Sequence, residues 1–190
     1  MNWLAHFYLS KPDAAFRIGN VLPDMLRLPE LEALPAIYQD GIARHRAIDS
    51  FTDSHPVVRR SITRFSPRFR RFAGVFTDVF YDHFLVMDWD LYNEIPVDEY
   101  VEQIYASFEP HRSQIPTKAF MVLESMKRDN WIGRYGEIEG IEYALKRMEG
   151  RLKRPFGLAE GIIELTTNYE EFRADFREFF PEIRAYVDSI

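Results

Sequence analysis

Gly41-Ile-Ala-Arg-His-Arg-Ala-Ile-Asp-Ser-Phe-Thr-Asp-Ser-His-Pro56 is the stretch whose reading decides the rest. Taken as a helix, it sets His45, Asp49 and Asp53 four residues apart. Side chains at that spacing share one face. An imidazole and two carboxylates on one stripe can hold a divalent cation or position a nucleophile. Ile42, Ala43 and Ile48 give the same helix other positions to bury. Pro56 disfavours helical geometry at His55 and ends the element. A helical ion pair has the same spacing, so the stripe gains meaning only if other polar groups converge on it.

Composition sets the frame around that helix. The chain has 190 residues, 46% hydrophobic and 15% aromatic, enough for a single domain over 1–190 with a real core. That content also argues against disorder. No apolar run approaches membrane-spanning length. Met1-Asn-Trp-Leu-Ala-His6 lacks the basic and long apolar regions of a secretory signal. The expectation is a soluble cytoplasmic protein without a membrane partner. With no cysteine, disulfides and thiolate metal sites are excluded.

Upstream, Trp3, Leu4, Phe7 and Tyr8 suit a buried first helix that also carries His6, by default a hydrogen-bonded core histidine. Asp13 is placed to start a second helix as its cap. That helix holds Gly19-Asn-Val-Leu-Pro-Asp24, where Gly19 permits close backbone approach and Pro23 interrupts the segment. Asp24 therefore sits at a break, facing a site or capping the next turn. Downstream, Val57 to Arg71 carries Arg59, Arg60, Arg64, Arg68, Arg70 and Arg71 without an acid, in a chain of net charge −6. Such a patch attracts an acidic protein, phosphate or nucleic acid; the plainer alternative is a solvated face balanced by acids elsewhere.

The second dense stretch runs from Phe72 to Asp90. Phe72, Phe76, Val79, Phe80 and Leu85 fit a buried helix that also carries Asp78, Asp82 and His83. Ionised groups inside an apolar helix are costly unless paired or bound to metal. An Asp-Asp-His set here and the His-Asp set of the opening helix can close around one or two cations. Pairing of the acids with nearby arginines is the structural alternative. Further helices are read at Val97 to Phe108, around Phe120 and Leu123, at Glu137 to Met148, and at Leu158 to Phe180, the last ended by Pro181. His111 falls in a proline-bounded loop, and Arg151-Leu-Lys-Arg-Pro155 is a second small basic cluster. No alternating strand pattern appears, so the fold class is all-α.

Several motifs in order carry a resemblance: Asn2-x-Leu-Ala-His6, Gly19-Asn20-x-x-x-Asp24, Gly41-Ile-x-x-His45-Arg46-x-Ile-Asp49-x-x-Thr-Asp53, Asp78-x-x-x-Asp82-His83-Phe-Leu, then Asn130-Trp131-Ile-x-Arg134-Tyr135 and Arg154-Pro155. Together they resemble the acyl carrier protein phosphodiesterase (acyl carrier protein hydrolase) family across most of the chain. Where that family often has a second histidine in its first motif, this sequence has Tyr8. The resemblance implies a compact helical fold related to the HD-domain phosphohydrolases. It implies dependence on a divalent cation, typically manganese, and hydrolysis of holo-acyl carrier protein to the apo form and 4′-phosphopantetheine.

Carboxylate and imidazole ligands without thiolates suit Mn2+, Mg2+ or another hard divalent ion. The expected ligands are Asp24, His45, Asp49, Asp82 and His83. His6, Asp53 and Asp78 are expected to orient ligands or move protons, and Arg46 to hold the phosphate or pair with an acid. Acyl carrier proteins are small and acidic, so Arg59, Arg60, Arg64, Arg68, Arg70 and Arg71 are expected to dock one, and no nucleic acid partner is expected. Two rival readings share the sequence. One is an HD-like metal phosphohydrolase acting on a nucleotide or other small phosphate ester, which has no need of the arginine face. The other is a non-enzymatic helical adaptor with a basic binding face, which binds no metal.

Overall fold

A computed structural model describes residues 1–150 and 152–190, and every regular element among them is helical. The order is α1 (Trp3–Tyr8), α2 (Ala14–Val21), α3 (Leu28–Glu32), α4 (Gln39–Ser54), α5 (Pro56–Arg64), α6 (Ala73–Met87), α7 (Val97–Ala106), α8 (Thr117–Arg128), α9 (Ile138–Glu149), α10 (Ile162–Thr167) and α11 (Tyr169–Asp188). The all-α class read from the sequence is the class observed. No helix among the described residues is long and apolar enough to cross a membrane. Arg151 of the second basic cluster lies outside the described residues.

Local chemistry sets most boundaries. The Asp13 carboxylate accepts from the Phe16 amide at 2.8 Å and starts α2. Pro23 follows α2 in a tight turn over Leu22–Asp24. His55 is extended, with ψ 132°, and Pro56 opens α5 where a missing N–H costs nothing. The C-terminal helix departs from expectation twice. The long pattern from Leu158 splits at Asn168 into α10 and α11, and α11 runs through Pro181 to Asp188. A proline inside a helix costs about 3 kcal/mol. Phe176, Phe179, Phe180, Ile183 and Val187 are all buried on both sides of it. At about 1.5–3 kcal/mol for each large apolar side chain, their burial outweighs the lost hydrogen bond.

The centre of the molecule is aromatic. Phe65, Phe76, Phe80, Phe172, Phe176 and Phe179 are fully buried between α5, α6 and α11. Two buried carboxylates clamp this layer. Asp175 of α11 accepts from Arg60 Nε at 2.8 Å, Arg64 Nε at 2.7 Å and Ser61 Oγ at 2.8 Å. Asp88, just past α6, is gripped by Arg173 and Arg177 of α11. The short helix α1 lies against this core, with its amino end directed at a polar pocket bordered by α2, α4 and α6.

Candidate functional site

The pocket begins with two glycines. Helices α2 and α4 cross at Gly19 and Gly41, with the backbones in contact. A Cβ on Gly41 would strike the Phe16 carbonyl and lie 2.9 Å from Gly19 Cα. Only glycine allows that approach. It brings the Asn20 carbonyl within 2.7 Å of His45 Nδ1. A carbonyl only accepts, so Nδ1 carries a proton; Nε2 donates to Asp49 when the ring is protonated and offers a lone pair when the ring is neutral. The Asn20 side chain does the same for His6. Its amide donates to the His6 carbonyl at 2.7 Å and to Ser10 Oγ at 2.8 Å, which leaves Oδ1 to accept from His6 Nδ1 at 3.1 Å.

One residue thus aims two imidazoles. The rings stack with centroids 4.2 Å apart, and both Nε2 atoms face Asp49. His45 Nε2 lies 3.0 Å from one Asp49 oxygen, and His6 Nε2 lies 3.3 Å from the other. Asp24 Oδ1 is 3.8 Å from His45 Nε2, while its Oδ2 accepts from Trp3 Nε1 at 2.8 Å. Asp78 lies 3.0 Å from the Met1 α-ammonium, which is also 3.7 Å from Asp49.

The electrostatics match that geometry. Burial works against the charged form of Asp49, but hydrogen bonds from His45 and His6 and the Met1 charge hold its pKa well below the usual carboxylate range. Burial alone would depress His45; the Asp49 hydrogen bond and the Asp24 and Asp49 charges outweigh it, and its pKa is raised. Burial likewise opposes the Met1 ammonium, but Asp78 and Asp49 lift it to about 10. The pocket therefore favours positive charge.

His6, His45 and Asp49 each offer a ligand atom, all within 4.8 Å of one another. With Nδ1 as donor, His6 Nε2 faces only oxygens, those of Asp49 and the Met1 carbonyl. Without a cation the Nε2 protons can be shared with Asp49; with those protons displaced, the two Nε2 lone pairs and the carboxylate offer a ligand set for a cation. Two imidazoles and carboxylates fit a divalent ion of the manganese or magnesium type.

The sequence-based assignments divide here. His45, Asp49 and Asp24 come together, and His6 joins them at ligand distance rather than behind them. Asp82 and His83 are not part of this group and have other partners in the fold. The Asp82 carboxylate accepts from the Leu4 amide at 2.8 Å and the Ala5 amide at 3.1 Å. It caps the amino end of α1 from below, where Asn2 supplies no side-chain cap. Burial raises Asp82 to about 7, against the lowering effect of those two amides. His83 has both nitrogens engaged elsewhere: Nδ1 with the Tyr135 carbonyl at 2.7 Å and Nε2 with the Tyr169 hydroxyl at 2.9 Å. Helix α6 reaches the pocket through Asp78 instead. Asp53 and Arg46 are exposed, outside the cluster. Tyr8 donates to the Tyr92 carbonyl, away from the site.

The arginine run also divides. Arg60 and Arg64 hold Asp175, Arg60 also binds Glu178, and Arg68 binds Glu160. These three are paired within the chain, unlike the free docking charges expected of them. Arg59, Arg70 and Arg71 are exposed and have no carboxylate partner among the described residues. The sequence gives Asn20 and Trp3 no site role, Trp3 being read only as core, yet they orient His6, His45 and Asp24. Tyr135 accepts from Asn2 Nδ2 at 3.0 Å, and Trp131 stacks on Trp3 at 5.3 Å, so the late aromatic motif braces the chain's first residues.

Comparison with known proteins identifies the family. A family model described as acyl carrier protein phosphodiesterase matches residues 1–183. A relative of that name from Enterobacter sp. (strain 638) is 32% identical over 184 residues, 96% of this chain and 95% of its own. Another from Klebsiella pneumoniae (strain 342) is 31% identical over 190 residues, 100% of this chain and 98% of its own. No solved structure matches, so the expected kinship with HD-domain proteins gains no support there. Since the match covers nearly the whole chain, the chain belongs to the acyl carrier protein phosphodiesterase family.

Proposed function

We propose that this protein hydrolyses holo-acyl carrier protein to the apo form and 4′-phosphopantetheine, using a divalent cation held by His6, His45, Asp49 and Asp24. The observation that carries the reading is the convergence of His6 Nε2, His45 Nε2 and an Asp49 oxygen within 4.8 Å, in a member of this family. A divalent cation bound there supplies neutralisation of the phosphodiester charge and acidification of a water.

The chain's own residues do the rest. Asn20 fixes both imidazole tautomers, so no rotation is needed when substrate arrives. Trp3 holds Asp24 at the pocket mouth. Asp78 is half-buried and ion-paired with the Met1 ammonium that also approaches Asp49, and in this reading it takes the proton of the attacking water. In the balanced step, the water oxygen bonds to phosphorus, the bond from phosphorus to the seryl oxygen breaks, and the released proton ends on that oxygen. Asp82 acts through α1: by holding Leu4 and Ala5 it sets the position of His6, and it is a positioning residue.

The test is incubation of holo-carrier protein with the enzyme and Mn2+, read by mass spectrometry. Loss of the prosthetic group, its appearance as 4′-phosphopantetheine, and suppression of both by a chelator are expected. Intact holo-carrier protein after prolonged incubation with metal would refute the reading.

A further inference from the structure

A trough leads away from the cation site. Its inner part, a cavity of about 270 Å³, is lined by Asp24 and Asp78 of the polar pocket together with Phe72, Val75, Leu152 and Leu158. Its outer part is bordered by Arg71, Lys153 and Arg154 around Phe72, Leu152 and Phe156. Phe72 and Leu152 line both parts, so the two adjoin at these side chains. The only acids on this path sit at the inner end, beside the cation site. At the outer end the three cations are exposed, and none has a carboxylate partner among the described residues. Arg71 instead lies over the Phe72 ring, 5.4 Å from its centroid, which keeps its charge on the rim.

This contrasts with the rest of the basic surface. Arg60, Arg64 and Arg68 are neutralised by acids of the same chain. Unpaired cations around an apolar floor suit a partner that is acidic with a few apolar side chains among its acids. We propose that Arg71, Lys153 and Arg154, with Phe72 and Phe156 between them, dock the acidic carrier protein and deliver its phosphodiester along the trough to the Asp24–Asp78 end. This rests on the hydrolase reading above and narrows it. The docking charges come from two stretches far apart in sequence, and half of the Arg59–Arg71 arginines are paired within the chain.

The experiment measures binding of the apo-carrier protein, which has no phosphodiester to cleave, by fluorescence anisotropy at low salt. The paired reversal Lys153→Glu/Arg154→Glu and, separately, Arg71→Gln are compared with Arg128→Glu, an exposed charge outside the trough. The reversal is expected to weaken binding about tenfold or more, with the loss shrinking as salt is added, and Arg128→Glu to change it little. Arg71→Gln is expected to fall between them. Wild-type affinity in both rim variants, or no binding by the wild-type chain, would overturn the proposal. Binding that follows this pattern, with no prosthetic group released from holo-carrier protein, would support the surface and sink the hydrolase reading instead.

Discussion

Asn20 shows how much a single residue decides. Its carbonyl fixes His45 and its side chain fixes His6, so both Nε2 atoms point at Asp49. Asn20→Ala keeps the carbonyl and loses the His6 contact, and activity on holo-carrier protein is expected to fall about 10- to 100-fold, the usual cost of losing a group that orients a ligand. His83 gives the opposite case. Its ring bridges Tyr135 and Tyr169 outside the cluster, so His83→Gln is expected to lower the melting temperature while retaining turnover. Abolished turnover in a folded His83→Gln protein would restore that histidine to the site. The four-residue spacing of His45 and Asp49 was legible because helix periodicity puts both on one face. The roles of Asp82 and His83 were not, because periodicity says that a polar group is buried and is silent on its partner. Asp82 found two backbone amides, and no side-chain pattern encodes those.

Among the elements, the crossing of α2 and α4 and the clamp of α5 on α11 carry the geometry. Gly41→Ala places a methyl against the Phe16 carbonyl. It is expected to force the helices apart, destabilise the fold by about 2 kcal/mol and lower activity more than stability alone explains, since the Asn20–His45 contact spans that crossing. The clamp has a pH signature. Burial opposes ionisation of Asp175, but Arg64, Ser61 and Arg60 hold its pKa below the ordinary value. A carboxylate depressed on folding contributes stability that is complete above its unfolded pKa and is lost as pH falls through the folded one. Acid titration of the melting temperature is therefore expected to show a loss below about pH 4. Asp175→Asn should flatten that loss and cost about 2 kcal/mol near neutrality, discounted for the partly exposed arginines. Helix starts at Asp13 and Pro56 were legible because capping and proline chemistry are local. Pro181 misled for the reverse reason: burial of its neighbours by distant helices overrode a local penalty.

At the scale of the molecule, the site is assembled from residues 6, 20, 24, 45, 49 and 78, drawn from four helices and a turn. Residues far downstream secure it: Tyr135 holds Asn2 and Trp131 holds Trp3. The fold thus builds a pocket favouring positive charge before any ligand arrives. A cation that binds only the folded chain adds about 2.7 kcal/mol at a hundredfold excess over its Kd. For a domain of this size, Mn2+ is then expected to raise the melting temperature by about 5–10 °C, and Asp49→Ala to remove the rise. The all-α class was legible from apolar spacing, and family membership from motifs in order. The division of the arginine run was not, because Asp175, Glu178 and Glu160 come from segments that only the folded chain brings alongside. The most direct measurement is the anomalous scattering of a Mn2+-loaded crystal. A peak bound by His6 Nε2, His45 Nε2 and Asp49, with Asp24 beside it, is expected. A peak at Asp82 and His83, or none in a crystal of the loaded protein, would contradict it.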